Sequence, residues 1–142
     1  MLIRPACMDD FSFLSVHDAH LSPAELRVLI PLGRVLLAME DAQAIGWLRF
    51  GLFWDNTPFI NLLYVLAGAR GRGVGTALVA YWENDMRGKG FACVMTSTAS
   101  DERAQHFYRR LGYAAVGGFT PPGEPYELIM LKPLPPQPPS IC

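Results

Sequence analysis

Arg70-Gly71-Arg72-Gly73-Val74-Gly75-Thr76 is the stretch on which the fold turns. It is wedged between an apolar run, Phe59–Leu66, and an amphipathic segment, Val74–Met86. The pattern reads as strand, glycine loop, helix. Glycine reaches backbone angles that other residues avoid and lets a ligand come close to the main chain. The first amides of the following helix lack intrahelical acceptors. Together with the positive end of the helix dipole they favour a phosphate by roughly 0.3–1 kcal/mol per charge. The stretch therefore predicts an anion cradle built from backbone.

The rest of the chain sets the bounds. It has 142 residues, enough for one domain with a sizeable core. Apolar residues make up 51% and charged residues 18%, so the chain is globular. Twelve basic against 13 acidic side chains give a net charge of −1, which argues against a general nucleic-acid or anionic-membrane binder. Cys7, Cys93 and Cys142 are scattered, odd in number and lack metal-ligand spacing, as expected of a reduced cytoplasm and no metal site. The N-terminus does not read as a signal peptide. No apolar run approaches the ~20 residues of a membrane span.

Outward from the loop the elements follow one another plainly. Leu2–Arg4 reads as a short strand stopped by Pro5, and Asp9–His20 as a helix. Ser22-Pro23-Ala24-Glu25 is a helix start, with a capping serine, proline at the first position and glutamate three after the cap. Val35–Met39 and Ala44–Phe53 read as strands around the turn Glu40–Gln43, and Trp54–Pro58 as a turn cluster. Phe59–Leu66 is almost wholly apolar, as expected when both faces are covered. Val74, Leu78, Tyr81/Trp82 and Met86 fall at helical spacing, with Gly88 as a C-cap. Phe91–Thr96 is another buried strand. Strand, helix, strand at this spacing is a βαβ unit with parallel strands and a right-handed crossover. Ser100/Asp101 read as the cap of a further helix carrying Ala104, Phe107, Tyr108 and Leu111 on one stripe and ending at Gly112. Tyr113–Val116 and Tyr126–Leu131 form a last strand pair. One domain over 1–133 and a proline-rich mobile tail over 134–142 are expected.

Two phosphate loops can be tested directly. A P-loop requires Lys before its Ser/Thr, and Gly75 stands there. A dinucleotide fingerprint starts at Gly71 and Gly73, but its last glycine falls on Thr76, and the loop follows about four strands where such a loop usually opens the domain. A plain glycine-rich turn leaves the arginines flanking Gly71 unexplained.

Leu63-Tyr64-Val65-Leu66 followed by Arg70 to Thr76 resembles the acyl-CoA signature of GNAT-superfamily N-acetyltransferases, (Gln/Arg)-x-x-Gly-x-(Gly/Ala), which Arg70, Gly73 and Gly75 satisfy. Asp101 to Tyr113 resembles that family's Asn-x-x-Ala…Phe-Tyr…Leu-Gly-(Phe/Tyr). The resemblance in order of elements covers roughly Leu2 to Pro133. It implies an α/β (α+β) fold with a mixed twisted sheet of about six or seven strands, about four helices and a splayed parallel strand pair. It implies acetyl-CoA as co-substrate, with the pyrophosphate on the amides of Gly71, Arg72, Gly73, Val74, Gly75 and Thr76 and with Arg70 and Arg72 nearby. The pantetheine arm is implied to run beside main-chain groups of Leu63, Tyr64 and Val65, much as an added strand.

The chemistry so implied is attack of a primary amine on the thioester carbonyl. Tyr108 matches the tyrosine to which relatives often assign protonation of the leaving thiolate; the plain alternative is a core aromatic on the helix stripe. Deprotonating a lysine side chain at pH 7.4 costs roughly 4 kcal/mol and an α-amine under 1 kcal/mol. Many relatives place a carboxylate near the positions of Asn61 and Leu62, and neither residue here is a base, so a low-pKa acceptor or a water relay is expected. Asp101 stands where relatives often carry a cofactor-contacting Asn, and caps a helix in the alternative reading. His17, His20, Trp47, Arg49, Trp54, Asp55 and Glu124 fall in the region that forms the acceptor pocket in this fold. The resemblance implies a small-molecule or peptide amine as acceptor, and dimers are common in the family, so a homodimer is allowed. The other class of function is an idle GNAT-fold module that binds acyl-CoA as a sensor or serves in interactions.

Overall fold

A computed structural model describes residues 1–136. Among them seven strands form one sheet in the order β1-β2-β3-β4-β5-β7-β6. These are β1 (Leu2–Pro5), β2 (Val35–Glu40), β3 (Gln43–Phe53), β4 (Thr57–Val65), β5 (Cys93–Ala99), β6 (Ala114–Phe119) and β7 (Glu127–Pro133). Four α-helices accompany them: α1 (Phe11–His17), α2 (Pro23–Leu29), α3 (Val74–Gly88) and α4 (Ala104–Arg110). The sheet is mixed. β1, β2 and β3 run antiparallel in succession, as do β5, β7 and β6. β4 and β5 are parallel, as the βαβ spacing predicts. Their register holds only Phe59↔Met95 and Ile60↔Thr96. β4 continues to Val65 beyond its last paired residue, the shape expected of a splayed pair. Among the described residues no helix is long and apolar enough to cross a membrane.

The chain divides into two compact units. The first comprises Met1–Phe50 and Leu62–Tyr81. Its core gathers Leu14 of α1, Leu26 of α2, Ile30, and Val35, Leu37 and Trp47 of the sheet. Ser22 caps α2 as its sequence predicts, accepting the Glu25 amide at 3.2 Å. The first helix is shorter than the expected Asp9–His20. A 3₁₀ turn, Met8–Asp10, leads into α1, which stops at His17. The cause is Asp18. Its buried carboxylate leaves the helical path to accept Arg49 Nε at 2.7 Å and Trp47 Nε1 at 3.3 Å.

The second unit comprises Gly51–Asn61 and the chain from Trp82 onward. The C-cap of α3 is Gly90 (φ +89°), not Gly88, which is still helical. Phe91 N bonds back to Met86 O at 3.1 Å, and this wrap delays β5 to Cys93. Glu83 of α3 is buried, accepting Tyr113 Oη at 2.7 Å and Lys132 Nζ at 2.8 Å. Burial first, and the hydrogen bond to Glu83 second, raise the Tyr113 phenol pKa above its ordinary value. Tyr113, the last residue of the second motif, is thus a structural tie between α3 and β7. Leu134, at the expected start of the tail, is buried and its amide bonds Ala92 O at 2.8 Å. The remainder of the expected tail, 137–142, lies outside the described residues.

Candidate active site

The glycine loop lies in the first unit and has the form its sequence predicts. Gly71 and Gly73 adopt φ +76° and +80°, the left-handed region in which a side chain is strained. A Cβ built on either would meet nothing within 4 Å, so open space faces both. α3 starts at Val74, and its first backbone bond near the loop is Ala77 N to Gly73 O at 3.0 Å. Among the described residues the amides of Gly71, Arg72, Gly73, Val74, Gly75 and Thr76 donate to no protein acceptor. Unbonded amides at the start of a 15-residue helix, over two open glycines, fit a phosphate group chemically.

The flanking arginines are already engaged. Arg70 Nε donates to Val65 O at 2.9 Å, and its guanidinium lies 5.4 Å from the Tyr64 ring centroid. Of the Leu63, Tyr64 and Val65 main-chain groups expected to face a ligand, the Val65 carbonyl is therefore taken. Arg72 places both terminal nitrogens 3.1 Å from Glu40 Oε1. Both arginines are exposed, where such contacts stabilise little.

Tyr108 lies in the second unit. It is 5% exposed. Burial pushes its phenol up to about 12, with a smaller opposing effect from the Thr96 hydroxyl. Thr96 Oγ1 in turn donates to Ile60 O at 3.2 Å, within the last registered pair of β4 and β5. Tyr108 thus sits behind the point where strand pairing stops. The tyrosine packs edge-on against Phe107 and Tyr113, with centroids 5.1 and 5.4 Å away. Asp101 does not cap α4. It lies exposed in a turn, and the cap position belongs to Arg103, which makes no side-chain cap bond. The chain from Ala99 to Arg103 turns first, with Glu102 N bonded to Ala99 O at 3.1 Å, so the helix starts later than Ser100/Asp101 predicts.

A cavity of about 470 Å³ opens on the second unit, lined among others by Phe53, Phe59, Asn61, Ser97, Phe119 and Ile129. Ser97 and Ile129 are register partners on β5 and β7. Neighbours on a strand point to opposite faces, so Ser97 faces this cleft while Thr96 faces Tyr108. Sequence reasoning singled out Asn61 alone among these six, because the others come from five separate strands. Two of its acceptor candidates prove structural: Trp47 and Arg49 are held by Asp18 inside the first unit. His17 stacks on Phe13 at 4.3 Å, while His20, Asp55 and Glu124 are exposed. Trp54 is 80% exposed, at φ +55°. Among the described residues no cluster of three His, Cys, Asp or Glu is placed to hold a metal.

Known proteins resemble the chain in sequence or in fold. The chain is 36% identical over 74 residues to blasticidin-S acetyltransferase of Streptomyces morookaense, a match spanning 50% of this chain and 54% of that protein. The ribosomal-protein-S18-alanine N-acetyltransferase of Escherichia coli superposes with a TM-score of 0.80 at 14% identity, over 99% of this chain and 98% of that one. An aminoglycoside 6'-N-acetyltransferase complexed with coenzyme A superposes at 0.78 with 16% identity, over 97% and 99%. At such identities the two structures speak for the fold. The model of the acetyltransferase (GNAT) family matches residues 6–113, across both motifs and the splayed strand pair, and the chain belongs to that family.

Proposed function

We propose that the protein is an N-acetyltransferase that moves an acetyl group from acetyl-CoA to a primary amine. The observation that carries this reading is the run of unbonded amides from Gly71 to Thr76 over two open, positive-φ glycines. Those amides, with the Thr76 hydroxyl, hold the pyrophosphate. Arg70 and Arg72 add positive charge once they exchange Val65 O and Glu40 for phosphate oxygens, a substitution that favours the more concentrated charge. The release of Val65 O also restores the free strand edge of Leu63 to Val65 for the amides of the pantetheine arm.

Acetyl-CoA supplies the activated acyl carbon: the amine nitrogen bonds to it as the carbon–sulfur bond breaks. The nitrogen sheds a proton, and the sulfur leaves as thiolate and gains one. Tyr108 is the residue assigned to that sulfur. With its phenol pushed up to about 12, Tyr108 stays protonated through the working range. An alkyl thiol such as cysteine titrates near 8.5, so complete transfer from Tyr108 is uphill by about 5 kcal/mol. Tyr108 therefore acts chiefly by donating a hydrogen bond to the developing thiolate, worth about 1.5–3 kcal/mol. Asn61 accepts no proton from the amine. The acceptor must then arrive neutral or pass its proton to water. Asp101, exposed and free of cap duty, remains the residue at the family's cofactor-contacting position.

The names of the similar proteins span small-molecule and ribosomal-protein acceptors, and the acceptor here is a small-molecule or peptide amine. The neutral Asn61 also favours a second reading, an acyl-CoA-binding module without turnover. Acetyl-CoA binding and CoA release measured side by side over an amine panel separate the two. Amine-dependent release supports the transferase; binding without release on every amine supports the module.

A further inference from the structure

The cleft on the second unit has a composition that selects its occupant. Phe53 and Phe59 stack with centroids 6.0 Å apart and planes 20° from parallel, forming one wall. Phe119, 52% exposed, is an unshielded aromatic on β6. Trp54, 80% exposed, lies 4.9 Å from the Phe53 ring on a turn where two successive non-glycine residues take positive φ. Such strain persists where the surroundings impose it, often beside binding sites. Asn61 and Ser97 contribute the polar side chains of the lining, and among the described residues neither side chain makes a hydrogen bond. No ionisable side chain lines the cavity. Asp55, on the turn after Phe53, and Glu127, the register partner of Phe119 on the same face as Ile129, carry the adjoining carboxylates and stand outside the lining. The floor is fitted to Asn61: a Cβ on Gly51 would lie 3.2 Å from Asn61 Nδ2.

We propose that this cleft seats the acceptor as a primary amine carried on a flat aromatic body, and discriminates against polycations. The proposal rests on the acetyl-transfer reading above for its chemistry. A ring between Phe53/Phe59 and Phe119 gains apolar burial and ring–ring contact. A polyamine or aminoglycoside would shed water from several ammonium groups with no countercharge in the lining. The same uncharged surroundings favour the neutral form of the bound amine. They meet part of the need that a carboxylate at Asn61 would otherwise serve. Asn61 and Ser97 then orient the amine as neutral hydrogen-bond partners.

The test is calorimetric binding of 2-phenylethylamine, spermidine and kanamycin to the CoA-loaded full chain, with CoA release recorded separately. 2-Phenylethylamine binds at least tenfold more tightly than spermidine or kanamycin, and Phe119→Ala weakens it at least fivefold without changing CoA affinity. Asn61→Glu, at an exposed position, narrows its preference over spermidine at least tenfold. Spermidine or kanamycin binding as tightly as 2-phenylethylamine overturns the proposal, as does indifference to both variants. The two readings fail separately. 2-Phenylethylamine binding as described without CoA release on any amine removes the transferase and leaves the cleft assignment. Efficient turnover of spermidine alone removes the assignment and leaves the transferase.

Discussion

Replacing Gly73 by alanine tests the pyrophosphate seat with little else disturbed. The residue has φ +80°, so an L side chain there costs about 1–2 kcal/mol of stability. The new Cβ meets nothing within 4 Å, so no packing clash is added. For a chain of this size the expected fall in Tm is about 3–6 °C. The Cβ does enter the space in front of the loop amides. Loss of one charge-assisted amide bond costs about 1.5–3 kcal/mol, which weakens CoA binding about 10- to 100-fold. Gly73→Asp adds a negative charge facing the phosphates and weakens binding further. Gly68→Ala is the control, since Gly68 has open space at its Cβ and no positive φ. It shifts neither Tm nor affinity. Calorimetric titration with CoA, alongside thermal unfolding of each variant, gives both quantities. CoA affinity within twofold of the parent for both Gly73 variants, in protein that is folded, refutes the seat.

Tyr108→Phe lowers kcat about 10- to 100-fold and leaves the KM for acetyl-CoA within threefold, because the lost hydrogen bond is made to the leaving sulfur; initial rates decide it, and an unchanged kcat removes the role. Asp18→Ala leaves Arg49 buried without its partner and costs about 3–5 kcal/mol, a Tm drop of about 10 °C or more by calorimetry. Asp10 is held down to about 2, mainly by its hydrogen bonds from Arg4. Its folded value lies below the ordinary 3.9, so its contribution is present above about pH 4 and lost as pH falls towards 2. Discounted for solvent screening it is about 1 kcal/mol. Asp10→Asn therefore melts a few degrees lower at pH 7, and the difference from the parent vanishes near pH 2.

The glycine loop and the elements around it were legible because backbone geometry constrains residue type there. Positive φ at Gly71 and Gly73 admits few residues, and a helix start must follow, so strand, loop and helix announce themselves together. Ser22 and Pro23 marked α2 for the same reason. The ends of other elements were less legible because distant partners set them. Asp18 leaves α1 for Arg49, and no local pattern marks that carboxylate as buried. Gly90 rather than Gly88 takes the left-handed cap, and both are glycines at a plausible distance from the helix. Ser100 and Asp101 have the right chemistry for a cap, but the turn after Ala99 puts the helix start beyond their reach. The cleft was hidden most deeply. Phe53, Phe59 and Ile129 each read as an ordinary strand residue, Ser97 and Phe119 fall just past the expected strand ends, and only the sheet order brings the five together. Trp47 and Arg49 were visible at period two but were read towards a pocket, because the sequence did not disclose Asp18 as their partner.

Transfer of an isotopically labelled acetyl group is the most direct test of the central claim. The purified chain is incubated with acetyl-CoA labelled in its acetyl carbons and 2-phenylethylamine, and the products are followed by mass spectrometry with and without Tyr108→Phe. The account predicts the label on the amine nitrogen, one free CoA for each labelled amide, and a rate reduced by the substitution. Failure to bind acetyl-CoA, or CoA release that is independent of any amine and carries no label to nitrogen, contradicts it.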